Sequence, residues 1–174
     1  MKRIIGSLAF VAGMAVIPGI AQVIVTPGAP AAPAPAIDIP AGKKLPLDQT
    51  LRAVHAAQAA CTAQGATNTV EVVDLNNNIK ALLSSDGAVN ASFEYARRKA
   101  YTVLKKGVSS GAFGKTLGQL PRGAVIEGDP NLVQYAGAVP IMKNGDIIGA
   151  LSVSSSKGQL DEACALTGLA EFHF

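Results

Sequence analysis

The sequence predicts an α+β fold: an antiparallel sheet of about five strands with flanking helices, in a single compact domain. Two observations carry this. Short β-branched runs are joined by tight turns at Leu75-Asn76-Asn77-Asn78 and at Asn144-Gly145, which makes the joined strands antiparallel. The elements also run helix, hairpin, helix, long loop, three strands, helix, so strands are grouped instead of alternating with helices.

The first helix spans 47–64. Leu47, Leu51, Val54, Ala57 and Cys61 recur at steps of three or four and make one apolar stripe. Asp48 suits the positive end of the helix dipole, and Gly65 is placed as a C-terminal cap. His55 lies off the stripe and reads as a surface histidine. Thr69 to Asp74, TVEVVD, is a β-branched strand, and Ile79 to Ser84 returns after the Asn-rich turn.

Asn90 is placed as the cap of the second helix, which carries YARRKAYTVLKKG, five cations in one short stretch. On a helical wheel Phe93, Ala96, Ala100, Val103 and Leu104 form the core side. Arg98, Lys99, Thr102, Lys105, Lys106 and Tyr95 fall away from it, and Arg97 sits at its edge. A charge run of this kind is first of all a solvated helix face.

Ser109 to Pro130 is Gly-rich and reads as irregular, longer than a connector in a compact domain usually is. Leu132 to Ala136, Val139 to Lys143 and Asp146 to Ser155 read as strands. Pro140 points to an edge position or a bulge. A last helix spans 159–169, with Leu160, Ala163, Cys164 and Thr167 on one face. Asp161 and Glu162 open it, where acids suit the dipole.

The N-terminus predicts the compartment. Met1-Lys2-Arg3 is a basic segment, Ile4 to Ile20 an apolar run, and Gly19-Ile20-Ala21 offers small residues for cleavage after Ala21. Residues 1–21 therefore read as a signal peptide, and the protein as periplasmic or secreted, touching a membrane only through the uncleaved signal. Residues 22–45 read as a Pro/Ala-rich tether, with six prolines between Thr26 and Pro46. Residues 46–174 form the folded domain. Of 15 Lys and Arg, Lys2 and Arg3 leave with the signal, so 13 cations face 12 acids in the mature chain. That near-neutrality argues against a nucleic-acid partner. Cys61 and Cys164 read from the residues alone as either a disulfide or two buried thiols that never meet.

In this order the pieces resemble the GlcG/HbpS family, the haem-degrading or haem-binding domains, and are similar to the C-terminal domains of PduO-type proteins. The likeness rests on VEVVDLNNNIKALLSSDGA, on ARRKAYTV, on AGAVPIMKNGDIIGALSVSS and on the closing QLDEACALTGL. It departs from the family's glycine-rich turns at Asn76-Asn77-Asn78, at Gly137-Ala138-Val139 and at Ser152-Val153-Ser154-Ser155.

The resemblance implies a homo-oligomer that binds haem or a related tetrapyrrole, or another anionic small molecule. It implies site positions Lys99 and Thr102 in the matching helix. It also implies first and last helices on one sheet face, which favours pairing of Cys61 with Cys164. Beside it, the chemistry of the strip makes Arg97, Arg98, Lys99, Lys105 and Lys106 donors for propionates. Tyr95 and Tyr101 are stacking or iron-ligating groups. The candidate ligand-binding set is thus Arg97, Arg98, Lys99, Tyr101, Thr102 and Lys106, with no catalytic residue assigned and the metal ligands left open. The sequence has no CxxCH, no nucleophile elbow, no metal-spaced His/Cys cluster and no phosphate loop. Two alternatives stand beside haem binding: an exported oligomeric interaction protein without haem, and a haem-degrading enzyme.

Overall fold

The computed structural model describes residues 38–174, apart from Arg122. The signal peptide and most of the tether expected from the sequence lie outside these residues. Among the described residues, four helices and four strands follow a short 3-10 turn at Ala41–Lys43: α1 (Leu47–Ala63), β1 (Asn68–Asp74), β2 (Ile79–Ser84), α2 (Asn90–Lys106), α3 (Ser110–Leu117), β3 (Ala138–Lys143), β4 (Asp146–Ser155) and α4 (Asp161–Leu169).

The sheet is antiparallel throughout, in the order β2-β1-β4-β3. The central pair is β1 with β4, in register Val70↔Val153, Glu71↔Ser152, Val72↔Leu151 and Val73↔Ala150. Side chains alternate between faces along a strand. One face therefore shows Val70, Val72, Leu151 and Val153, which join Val54, Ala57 and Cys61 of α1 and Cys164 and Ala165 of α4 in the main core. The other face shows Val73 and Ala150 to Ala100 and Val103 of α2. It also carries Thr69, Glu71 and Ser152, all fully buried. Small residues on both sides let α2 lie close, and the Ser152 hydroxyl donates to the carbonyl of Ala96 at 2.8 Å.

The turns follow the sequence. Asp74 accepts from the amides of Asn76 and Asn78 at 2.9 and 3.0 Å, which ties the Asn-rich turn. Asn144 and Gly145 both have positive φ, 52° and 85°, as a two-residue hairpin of the type I′ class requires. Pro140 lies on β3, one of the two outer strands.

Several expectations are corrected. The sheet has four strands among the described residues, not five. Residues 132–136 form no ladder: α2 takes backbone groups of Leu132 and Val133, and the Gln134 side chain fastens the segment to a loop. The Val133 amide donates to the Thr102 hydroxyl at 3.1 Å, Arg98 donates to the carbonyl of Leu132 at 3.2 Å, and the Gln134 amide group bonds both ways with Leu120. The long Gly-rich connector contains a helix, α3. Ser109 caps it by accepting from the Ala112 amide, and Phe113 packs with Ile126 and Leu132. At the start of α2 Asn90 is not the cap: Val89 occupies that position, and the Ser92 hydroxyl donates back to its carbonyl at 2.7 Å.

Two helix faces are also rotated from expectation. In α1, Leu47 and Leu51 are exposed, and the buried face is Thr50, Ala53, Val54, Ala57 and Cys61. In α4, Ala163 and Thr167 are exposed, and Asp161, Cys164, Ala165 and Gly168 are buried. The cause is close helix contact. A Cβ on Gly168 would stand 2.5 Å from the Ala53 carbonyl oxygen and 2.8 Å from the Ala57 Cβ. The helices thus meet through their smallest residues, and the larger leucines turn outward. Within this contact Cys61 and Cys164 are joined by a disulfide, with Cα atoms 5.6 Å apart.

Candidate functional site

The wheel reading of α2 treats its cationic side as free. The structure covers much of it. Residues 126–134 and α3 lie against that side and Thr102 is fully buried, while Lys99 is 3% exposed, enclosed instead by Gly137, Val153 and Asp161. The Thr102 hydroxyl donates to the Arg98 carbonyl at 2.8 Å while accepting from Val133. Arg98 donates to the Pro130 carbonyl at 2.5 Å. The Tyr101 hydroxyl donates to Asp129 at 2.7 Å, which raises the phenol's pKa and lowers that of the carboxyl. Lys106 pairs with Glu127 and stands over the Phe113 ring. Arg97 remains exposed. These side chains first hold the connector. Glu94, Arg97, Arg98, Tyr101 and Asn131 also line a shallow recess of about 140 Å³.

A larger cavity, about 460 Å³, opens at the N-terminal half of α2. Volumes of roughly 300–1,000 Å³ are usual for small-molecule sites. Three distant segments build it: α2 through Ser92, Tyr95 and Lys99; the loop before β3 through Gln134 and Tyr135; and the end of β4 running into α4 through Ser154, Ser155 and Asp161. The deep lining is Ser92, Lys99, Ser154 and Asp161, all buried, and the rim includes exposed Val89, Ala91 and Ser156. The Tyr95 and Tyr135 rings meet edge to face at 5.4 Å.

Lys99 is central to this deep lining. Its Nζ donates to Asp161 Oδ2 at 2.6 Å and to the Val153 carbonyl at 3.0 Å. Asp161 also accepts from the Ser155 hydroxyl at 2.5 Å. Burial pushes Lys99 down and Asp161 up, each toward its neutral form, and their mutual attraction opposes both shifts. Gly137 makes room for the pair. It has φ 134°, and a Cβ there would stand 2.7 Å from Lys99 Nζ and 2.5 Å from the Val153 carbonyl oxygen.

Beneath α2, Glu71 is a second buried carboxylate. It is 0% exposed and neither oxygen has a hydrogen-bond partner. Burial raises its pKa to about 7, against the pull of Arg97. Among the described residues no group of three His, Cys, Asp or Glu side chains could hold a metal ion, and no helix is long and apolar enough to cross a membrane.

Of the sequence-derived candidates, the structure brings Lys99 and Tyr95 to the large cavity. Arg97, Arg98 and Tyr101 line the recess, while Thr102 and Lys106 line neither. Tyr135, Ser154 and Asp161 were not singled out from the sequence as site residues. Asp161 read as an ordinary helix-opening acid, and nothing local marks it as the partner of a lysine 62 residues away.

Fold and cavity together define a small α+β domain with a ligand-sized pocket where a helix, a loop and a strand end converge. The chain belongs to the HbpS-like haem-degrading protein family, whose model matches residues 45–170. Among solved structures it is similar to HbpS, with 30% identity, a TM-score of 0.67, and coverage of 83% of this chain and 99% of that one. A double mutant of Streptomyces reticuli HbpS gives 29% identity, a TM-score of 0.66, and coverage of 82% and 99%. A PduOC:heme complex shares the fold at 20% identity, with a TM-score of 0.65 and coverage of 74% and 95%. No curated protein matches the chain.

Proposed function

We propose that the protein is an exported homo-oligomer that binds haem or a related tetrapyrrole in the cavity between Tyr95, Tyr135 and Asp161. The observation that carries this reading is the cavity itself. It is large enough for part of a macrocycle and carries two aromatic rings on its lining. Family membership and the haem named with the PduOC neighbour support the same ligand class.

The donor set fits an oxygen-ligated ferric haem. Among the described residues the lining offers the phenols of Tyr95 and Tyr135 and the hydroxyls of Ser92, Ser154 and Ser155, but no His, Cys or Met. Phenolate is an established axial ligand of haem iron. His55 and His173 are both exposed and away from the lining. When bound, the haem would supply its own redox chemistry. This chain's residues would position and shelter it.

Export is supported by the N-terminal signal pattern and by the Cys61–Cys164 bridge, which suits an oxidising compartment. Assembly is supported by β2 and β3, which form the two outer edges of the sheet, and by exposed Val89, Val125 and Ile79.

Titration of the purified protein with haemin, followed at the Soret band, tests the ligand. A saturable shift with fixed stoichiometry is expected, and Tyr95→Phe with Tyr135→Phe should alter the ferric spectrum. No saturable change would remove the reading. Sedimentation tests the oligomer, and N-terminal sequencing of the exported chain should begin after Ala21.

A further inference from the structure

Among the described lining residues of the large cavity only Lys99 and Asp161 carry charge. They are bound to each other at 2.6 Å, with side chains 4% and 1% exposed. Two of the three N–H groups of Lys99 are already given, to Asp161 and to the Val153 carbonyl. Both Asp161 oxygens are taken, by Lys99 and Ser155. Close by, Glu162 accepts from the Ser109 hydroxyl at 3.1 Å and adds a further negative charge that Lys99 feels.

A ligand carboxylate entering here would meet a cation whose charge is already cancelled. It would stand beside the buried carboxylate of Asp161, with Glu162 near. Burying an anion without a free counter-charge is strongly unfavourable. The remaining lining is neutral: two phenol rings, the Gln134 amide, and the hydroxyls of Thr67, Ser92, Ser154, Ser155 and Ser156. Such walls suit a flat, uncharged surface with hydrogen-bonding groups at its edge.

Resting on the haem reading above, we propose that the cavity takes an uncharged edge of its ligand between the tyrosine rings and the serine hydroxyls, and leaves the ligand's carboxylates outside in solvent. Lys99 is then a positioning residue that holds Asp161 and the end of β4, and it is not an anchor for a propionate. The cavity discriminates ligands by shape and aromatic contact, and free-acid and esterified tetrapyrroles bind alike.

The test compares haemin with haemin dimethyl ester, titrated into the full exported protein in the same neutral detergent and followed at the Soret band. The dissociation constants should agree within about threefold. Haemin affinity should hardly change between low salt and about 0.5 M salt. Tyr135→Ala, in a half-buried loop position, should weaken both ligands to the same extent. An ester that binds about tenfold more weakly, or haemin binding that falls steeply with salt, would overturn the proposal while leaving haem binding in place. Absence of saturable binding by both ligands would remove the haem reading and this inference with it.

Discussion

The Nζ of Lys99 lies 2.6 Å from Asp161 Oδ2, and water reaches almost none of either side chain. The contact ties the middle of α2 to the first residue of α4 across the end of β4. A buried pair contributes little compared with an apolar pair of the same shape, but stranding one member is severe.

Lys99→Met should therefore cost about 3–5 kcal/mol, because Asp161 would remain buried without its counter-charge. Asp161→Asn should cost less, since Asn keeps an acceptor for Lys99. Lys99→Glu places two carboxylates in contact and should be worse than either. Reversal of Arg97 alone should be nearly neutral at about pH 5, where its neighbour Glu71 is protonated, as expected for an exposed charge. Urea unfolding curves measure the series. A Lys99→Met protein as stable as the parent would mean that Asp161 is already neutral.

Ala100 tests the closeness of α2 to the sheet. It is 0% exposed and packs with Val73, Val103, Ala138 and Ala150. Ala100→Leu should destabilise by about 1–3 kcal/mol through overpacking. An unchanged thermal midpoint would show that α2 can lift from the sheet without loss.

The bridge between Cys61 and Cys164 joins residues 103 positions apart. It should contribute roughly 2–4 kcal/mol by restricting the unfolded chain. The protein isolated under oxidising conditions and unfolded without reductant should show no reactive thiol. Two reactive thiols per chain would exclude the bridge. Cys61→Ala with Cys164→Ala should unfold at lower denaturant while keeping the fold, since Ala53, Ala57 and Gly168 still bring the helices together.

The fold was legible in the sequence where local chemistry and periodicity agree. TVEVVD, the Asn-rich turn and Asn144-Gly145 each predict their own geometry, and the structure follows them. What was not legible depends on contacts between distant segments. Residues 132–136 look like a strand, but Thr102 and Arg98 take the backbone amide of Val133 and the carbonyl of Leu132. Lys99 reads as one more solvent-facing cation, and only its meeting with Asp161 makes it a cavity residue. The apolar stripe of α1 turns because Gly168 invites the alanines inward, and a wheel drawn for one helix has no knowledge of its neighbour. Tyr135 sits in a connecting segment, where side-chain direction follows from no period.

Glu71 should make stability depend on pH. In the middle of β1 its carboxyl is fully buried, both oxygens lack a partner, and its pKa rises from the ordinary carboxylate value to about 7. Desolvation is the main cause, opposed by the Arg97 charge. The native state therefore holds this proton across a window, from about pH 4.5 to about pH 7, in which the unfolded chain has released it. Where the native state binds more protons, stability falls as pH rises. The contribution of Glu71 is thus most favourable below the lower limit, declines through the window and is constant above it. A shift of this size corresponds to about 3 kcal/mol at most. Glu71→Gln keeps the shape and never ionises, so its stability should match the parent at about pH 4 and exceed it at about pH 8. Denaturant midpoints at the two pH values measure this. A variant equally displaced from the parent at both would show that Glu71 does not titrate in the window, and a variant less stable at the higher pH would mean that the carboxylate is held by a favourable contact.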